Sequence, residues 1–241
     1  MWVGAGCLFE REHHRRIASV LQALDADVLV RHGCLFGGGT AISLRYGEFR
    51  ESVDINFLVS HLEGYRSLRQ RLTGLDGINA IVREGASLQQ ARDMRADQYG
   101  VRTLLMVDGV AIKFELVLEG RIILAAPGAL DQVCGVAALG ALDLATSKLL
   151  ANADRWADSS VYSRDLIDLA MMQPSRALLQ QASAKARVPY GASIEAALAS
   201  AIKHLRDQPL RLEQCLKALK MTTPRALLWK RIKAVEPRQI P

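Results

Sequence analysis

No apolar run reaches the roughly 18 residues that a membrane-spanning helix needs, so a transmembrane chain is excluded. The opening stretch MWVGAGCLFEREHH lacks a basic start followed by a long apolar segment, and no secretory signal is expected there. Cysteine is sparse: positions 7, 34, 134 and 215 form no CxxC pair and have no histidine at metal-ligand spacing. That excludes a disulfide framework and a structural zinc site, and reduced cytoplasmic thiols are expected. The five histidines (His13, His14, His32, His61, His204) make no HExxH or HxH array and read as structural. No repeat with a period of about 20–50 residues is present. What is there is ordinary globular material: 50% of residues are hydrophobic and 23% charged, which rules out a disordered tail or a low-complexity fibre. A length of 241 residues suffices for one large domain or two small ones.

The charge is unevenly placed. The chain carries 31 Lys plus Arg against 25 Asp plus Glu, a net +6. Between Lys203 and Arg238 there are ten basic and three acidic residues, so this segment alone holds +7 and the remainder sums to −1. A basic face of that kind permits an anionic partner, such as RNA; a solvated bundle surface is the plain alternative. Trp229 is the segment's only aromatic residue, so a base-stacking platform of the single-strand-binding kind is not indicated.

Two halves differ in periodicity. Up to about Ala126 the pattern is mixed. Glu10 to Leu24 repeats apolar residues at helical spacing. VLVRHGCLFGGGT reads as an extended apolar piece broken at glycines, and TAISLRYG as a short helix that Thr40 caps. VDINFLVS and INAIVRE read as strands, with the helical HLEGYRSLRQRL between them. Asp108-Gly109, flanked by two β-rich runs, predicts a hairpin. From about Leu139 the runs LDLATSKLLANADRW, VYSRDLIDLAMM, SIEAALASAIKHL, RLEQCLKALK and PRALLWKRIKAV have helical spacing. Pro174, Pro189, Pro209 and Pro224 are expected at breaks or in first turns. The expected architecture is α/β (α+β): a mixed sheet with flanking helices over residues 1–130, then a helical bundle over 131–241.

Chemistry concentrates between Gly37 and Asn56, GGGTAISLRYGEFRESVDIN. A strand ends in glycines, a helix begins, and a second strand carries an acidic residue. Glycines allow close approach of backbone to a phosphate, and free N–H groups at a helix start favour an anion. Positions 54 and 56 point to one strand face, where two oxygen ligands could share divalent cations beneath a triphosphate. The same letters also fit a tight turn followed by an edge strand with a solvent-facing Asp, and on the residues alone both readings stand.

Gly38-Gly39-Thr40, followed by Arg50-x-Ser52-x-Asp54-Ile55, resembles the signature of the AbiEii/AbiGii-type toxin nucleotidyltransferases, a branch of the DNA polymerase β superfamily. Lys113-Phe114-Glu115 is similar to that group's Lys-x-acid strand. Lys148-Leu149, Arg155 and Arg164-Asp165-x-x-Asp168-Leu169 are similar to its helical segment. The matches run in order over residues 30–170. The resemblance implies a nucleotidyltransferase fold with its active cleft between the two halves. It implies Mg²⁺ or Mn²⁺, a nucleoside triphosphate as substrate, and a toxin of a toxin–antitoxin or phage-defence pair with a cognate antitoxin. The implied acceptor is RNA, the 3′ end of a transfer RNA, held by the basic C-terminal helices. Other nucleotidyltransferases act on a small molecule or a protein, and a nucleotide- or RNA-binding protein without catalysis is a further alternative.

Residue by residue, the resemblance makes Asp54, Asn56 and Glu115 the metal ligands and, with Lys148 and Asp168, the catalytic set. Gly38, Gly39, Thr40, Arg50, Ser52 and Lys148 would bind the nucleotide. The alternatives are a surface ion pair for Glu115, a snorkelling lysine for Lys148, and an intrahelical Arg164–Asp168 pair. One position departs from the pattern: Asn56 stands where the family has its second Asp. A neutral amide oxygen is a weaker Mg²⁺ ligand than a carboxylate, so slower transfer is expected. Asn56 is consistent with a degenerate binder, with a substitution made to silence a toxic activity, or with Asp54 and Glu115 sufficing.

Overall fold

The computed structural model describes residues 9–237; the opening segment through Leu8, Cys7 and Arg238 lie outside the described residues. The chain divides into two compact units: residues up to Glu48 with Ser52–Gly140, and Phe49–Glu51 with Ala141 onward. Residues 131–140, grouped with the helical half by their sequence, thus belong to the first unit.

The first unit opens with helices α1 (Glu12–Ala23) and α2 (Ala26–Arg31), strand β1 (Cys34–Gly37) and helix α3 (Gly38–Arg45). Strand β2 (Asp54–Val59) and helix α4 (Leu62–Leu72) come next, then a 3₁₀ turn at Gly77–Ile81. Short strands β3 (Gln89–Gln90) and β4 (Arg95–Ala96) precede the hairpin β5 (Gly100–Val107) and β6 (Val110–Leu118), and a small pair β7 (Gln132–Val133) and β8 (Val136–Ala137) ends the unit. The main sheet runs β1-β2-β6-β5-β3, with β4 also on β5. In this sheet β2 and β6 pair in parallel, whereas β1–β2, β5–β6, β3–β5 and β4–β5 are antiparallel.

Strand alternation sorts this sheet into a dry and a wet face. On β2, Ile55, Phe57 and Val59 are fully buried, while Asp54, Asn56 and Leu58 are half-buried on the other side. Phe36, Phe57 and Phe114 continue the dry face across three strands, with ring centroids 5.5 and 5.7 Å apart. Burying each such ring contributes about 1.5–3 kcal/mol, so the register of β1, β2 and β6 is fixed by this row. A slip of one residue would turn Asp54 and Asn56 into the core.

Two expectations fail here. Val28–Val30 are helical rather than extended, because Asp25 caps α2 by accepting from the Val28 N–H; a cap outweighed the β-branched composition. In INAIVRE the first four residues lie in the 3₁₀ turn, with Ile78 and Ile81 buried, and Val82 makes only a single bridge to Leu24 instead of a strand. The Asp108-Gly109 hairpin does form, both residues taking positive φ (47° and 75°) as that two-residue turn requires.

The second unit is helical: α5 (Ala141–Arg155), α6 (Arg164–Met171), α7 (Arg176–Tyr190), α8 (Ser193–Asp207), α9 (Pro209–Ala218) and α10 (Arg225–Ala234). α7 escaped the periodicity reading, since Ala182 and Ala186 are its only buried residues. Ser175 starts it by accepting from the Leu178 N–H, and Pro189 lies in its last turn rather than at a break. Cys34 and Cys215 are buried free thiols. Cys134 is disulfide-bonded, which overturns the expectation of reduced thiols throughout. Among the described residues no helix is long and apolar enough to cross a membrane.

Candidate active site on the sheet and in the helical unit

The glycine turn of the first unit is built by its backbone. Gly37 is extended and stands as the cap before α3, and Gly38 takes φ +71°. A β-carbon at Gly38 would lie 3.3 Å from the Asn56 Cβ and 3.4 Å from its Nδ2. Glycine is required there twice, for the left-handed backbone and for the close approach. Gly39 follows in the first turn of α3, half exposed like Gly38. Thr40 sits inside the helix and caps nothing. Its hydroxyl donates to the Asp54 carbonyl (2.5 Å) and pairs with the Ser52 hydroxyl (2.7 Å). Both side chains are buried, at 1% and 7% exposure, so they fix the start of β2.

A further layer supports that start. The Ser52 N–H donates to His14 Nε2 (3.0 Å), so His14 carries its proton on Nδ1 and donates it to Glu48 (2.7 Å). His14 has no solvent exposure, and burial lowers its pKa although Glu48 pulls the other way. Burial raises the Glu48 pKa, but the Glu10 N–H, His14 and the Arg11 N–H outweigh it and hold the carboxyl below its usual range.

Across the sheet the register aligns Gly37, Asn56, Glu115 and Arg102 in one row, with Asp54 beside Lys113 one step along the same face. Sheet pairing therefore brings Asp54, Asn56 and Glu115 onto neighbouring positions of the wet face. Glu115 is already engaged, by Arg102 Nε at 3.2 Å and by Lys113 Nζ at 3.0 Å. Arg102 also pairs with Asp97 (2.9 Å). Among the described residues there is no group of three His, Cys, Asp or Glu arranged to hold a metal ion. The donor set is two carboxylates and one amide oxygen. Mg²⁺ commonly rests on one or two carboxylates plus substrate phosphates, so Asp54, Asn56 and Glu115 fit a single hard cation that a triphosphate completes.

Arg50, Lys148 and Asp168 come together in the second unit, as a buried ion network. Arg50 grips Asp168 with two parallel bonds, Nε to Oδ1 at 2.6 Å and Nη2 to Oδ2 at 2.9 Å. Lys148 Nζ lies 2.7 Å from Asp168 and 2.9 Å from Asp165. Arg155 closes the chain with two bonds to Asp165, at 2.7 and 3.0 Å. Exposure is 4% for Arg50, 6% for Lys148, 2% for Asp165 and zero for Asp168. The fork of Arg50, not Arg164, is the partner of Asp168. Burial raises the Asp165 pKa, but Lys148 and Arg155 more than offset this and hold it far below the ordinary carboxylate value. Three cations against two carboxylates leave the network with one formal positive charge.

Several residues escaped the sequence reading. Asp165 stood inside the quoted motif without a role. Arg102 was legible in principle, because a two-residue turn at Asp108-Gly109 sets it opposite Glu115. The His14–Glu48 support has no local signal, since its partners are 34 positions apart. A larger hollow of about 610 Å³, lined by His32, Ser60, His61 and Ser67 among others, lies at the opposite ends of β1 and β2 and touches none of the motif residues.

Comparison with known proteins places the chain in a family and a fold. The family model described as "Nucleotidyl transferase AbiEii toxin, Type IV TA system" matches residues 19–235. No curated protein sequence matches the chain. Among solved structures, a nucleotidyltransferase candidate from H. pylori superposes with a TM-score of 0.55 at 14% identity, covering 94% of this chain and 96% of that one. The protein JHP933 from Helicobacter pylori gives a TM-score of 0.54 at 15% identity, covering 94% and 93%. At such identities the likeness shows a shared fold.

Proposed function

Because the chain belongs to the AbiEii family of nucleotidyltransferase toxins, we propose that it transfers a nucleoside monophosphate from a triphosphate to RNA, at the 3′ end of a transfer RNA. The observation that carries this reading is the row Gly37–Asn56–Glu115, with Gly38 packed against Asn56 and Asp54 one step along. It sets a glycine turn and two carboxylates on one wet face. The turn approaches the triphosphate with backbone N–H groups, while Arg102 and Lys113 hold Glu115 in place and add positive charge beside it. A divalent cation, Mg²⁺ or Mn²⁺, held by Asp54, Glu115 and the Asn56 carbonyl, would supply charge neutralisation at the phosphates. An acceptor hydroxyl attacks the α-phosphorus and releases its proton to solvent; its O–P bond forms as the bond to the β-phosphate bridge oxygen breaks, and pyrophosphate leaves. Here positioning and charge do the chemistry. As a toxin, the enzyme would be restrained by a cognate antitoxin.

Asn56 favours a second reading: a slow or silent relative that binds nucleotide and RNA. Both are tested with the chain, its Asn56→Asp variant and an Asp54→Ala control. Each is given Mg²⁺ or Mn²⁺, each labelled nucleoside triphosphate in turn, and a transfer RNA pool. RNA labelling raised on the order of ten- to hundredfold in Asn56→Asp and abolished in Asp54→Ala is expected. Absence of RNA labelling by Asn56→Asp under every condition would overturn RNA transfer.

A further inference from the structure

The C-terminal basic segment contains a hollow that its charge count does not reveal. In the helical unit, Leu205 and Arg206 of α8, Leu212 of α9, and Arg225, Ala226 and Trp229 of α10 line a space of about 360 Å³. Arg225, Trp229 and Lys233 recur at every fourth position of α10, so one helix face carries an aromatic ring between two cations. Trp229 is half-buried, Leu205 and Leu212 are buried in the lining of the hollow, and the lining residues Arg206 and Arg225 are exposed. Arg206 pairs with Glu236 (2.6 Å) and Arg225 with Glu213 (3.1 Å). Exposed pairs of this kind hold weakly, so a phosphate can take over either guanidinium. A flat ring over an apolar floor, with cations at the rim, suits a planar π-system attached to phosphates. The two arginines that line the hollow, in a segment that carries +7 in sequence, favour an anionic ligand over a neutral aromatic molecule.

We propose that this hollow is a stacking subsite for one unpaired base of the RNA acceptor, with Trp229 against the base and Arg206 and Arg225 on the flanking phosphates. The assignment rests on the RNA reading above and adds a preference to it: an unpaired nucleotide, not duplex alone, is gripped by the helical unit. One ring is enough for one base, and the stack is sequence-tolerant because every base has a π-face.

The test measures binding of a short oligouridylate and of a blunt RNA duplex to the full chain over a range of salt, for the wild type, Trp229→Ala, Trp229→Phe and Arg225→Gln. Trp229→Ala is expected to weaken oligouridylate binding roughly 5- to 150-fold with an unchanged salt slope and an unchanged duplex affinity. Trp229→Phe keeps most of the affinity, and Arg225→Gln reduces the salt slope by about 0.7. Wild-type affinity in Trp229→Ala, or an equal loss for duplex and single strand, overturns the subsite. If the wild type binds no RNA at all, the RNA-acceptor reading falls with it; if Asn56→Asp labels RNA while Trp229→Ala binds normally, only the subsite falls.

Discussion

Asp54 and Asp168 are both motif carboxylates, and the chain treats them in opposite ways. Asp54 begins a strand, half exposed, on a face shared with Asn56 and a salt-bridged Glu115. Asp168 has no exposure and is held by Arg50 and Lys148. The sheet site keeps its charges where a ligand can reach them, and the helical network seals its own among partners. Substitutions should therefore divide: changes on the sheet act on ligand and turnover, and changes in the network act on folding. Removing one member of a buried ion set strands the others, whereas exposed pairs hold little.

The largest effect should come from Asp168→Ala, which leaves Arg50 and Lys148 buried without their shared counter-charge. A loss of about 3–5 kcal/mol is expected in urea unfolding. A loss below about 1 kcal/mol would show that water reaches the network and would break the contrast. Acid sharpens the same point. Asp165 titrates below its ordinary value of 3.8 in the fold, so its contribution is complete above that pH and is lost as pH falls toward the depressed value. Unfolding midpoints should drop steeply below about pH 4, and Asp165→Asn should flatten that limb while lowering stability at neutral pH.

On the sheet, Gly38→Ala should cost about 1–2 kcal/mol through the left-handed backbone. It should also weaken triphosphate binding, because the new methyl meets Asn56 at 3.3 Å. Equilibrium binding of a nonhydrolysable triphosphate checks this, and unchanged affinity would remove the turn from the site. The smallest effect concerns His14. Its folded pKa is lowered by burial, so its contribution is present above 6.5 and lost as pH falls. As pH falls from about 7 to 5 the wild type should lose stability in urea unfolding, and His14→Gln should lack this dependence.

The basic segment is itself divided. Arg231 touches Met171 and its Nε is buried without a hydrogen-bond partner, whereas Lys230 and Lys233 are exposed. Charge reversal at Lys230 and Lys233 probes a nucleic-acid face; reversal at Arg231 disturbs packing as well.

Much of this protein was determined by local sequence. The 2.0 period of β2 placed Asp54 and Asn56 on one face, Asp108-Gly109 fixed the β5–β6 register, and the helical runs after Leu139 became α5, α6 and α8–α10. Those signals act over a few residues, where side-chain alternation and turn conformation are set by sterics. Local propensity misled at Val28–Val30 and at Ile78–Ile81, where a cap and a tight turn won. Only tertiary structure decided that Asn56 and Glu115 lie side by side, because their strands are joined by parallel pairing across the intervening chain. It also decided that Thr40 and Ser52 brace a strand, and that Arg50 reaches across 118 positions to Asp168. A charge in a sequence carries no mark of the dielectric it will meet. Burial supplies that, and burial is a property of the whole fold.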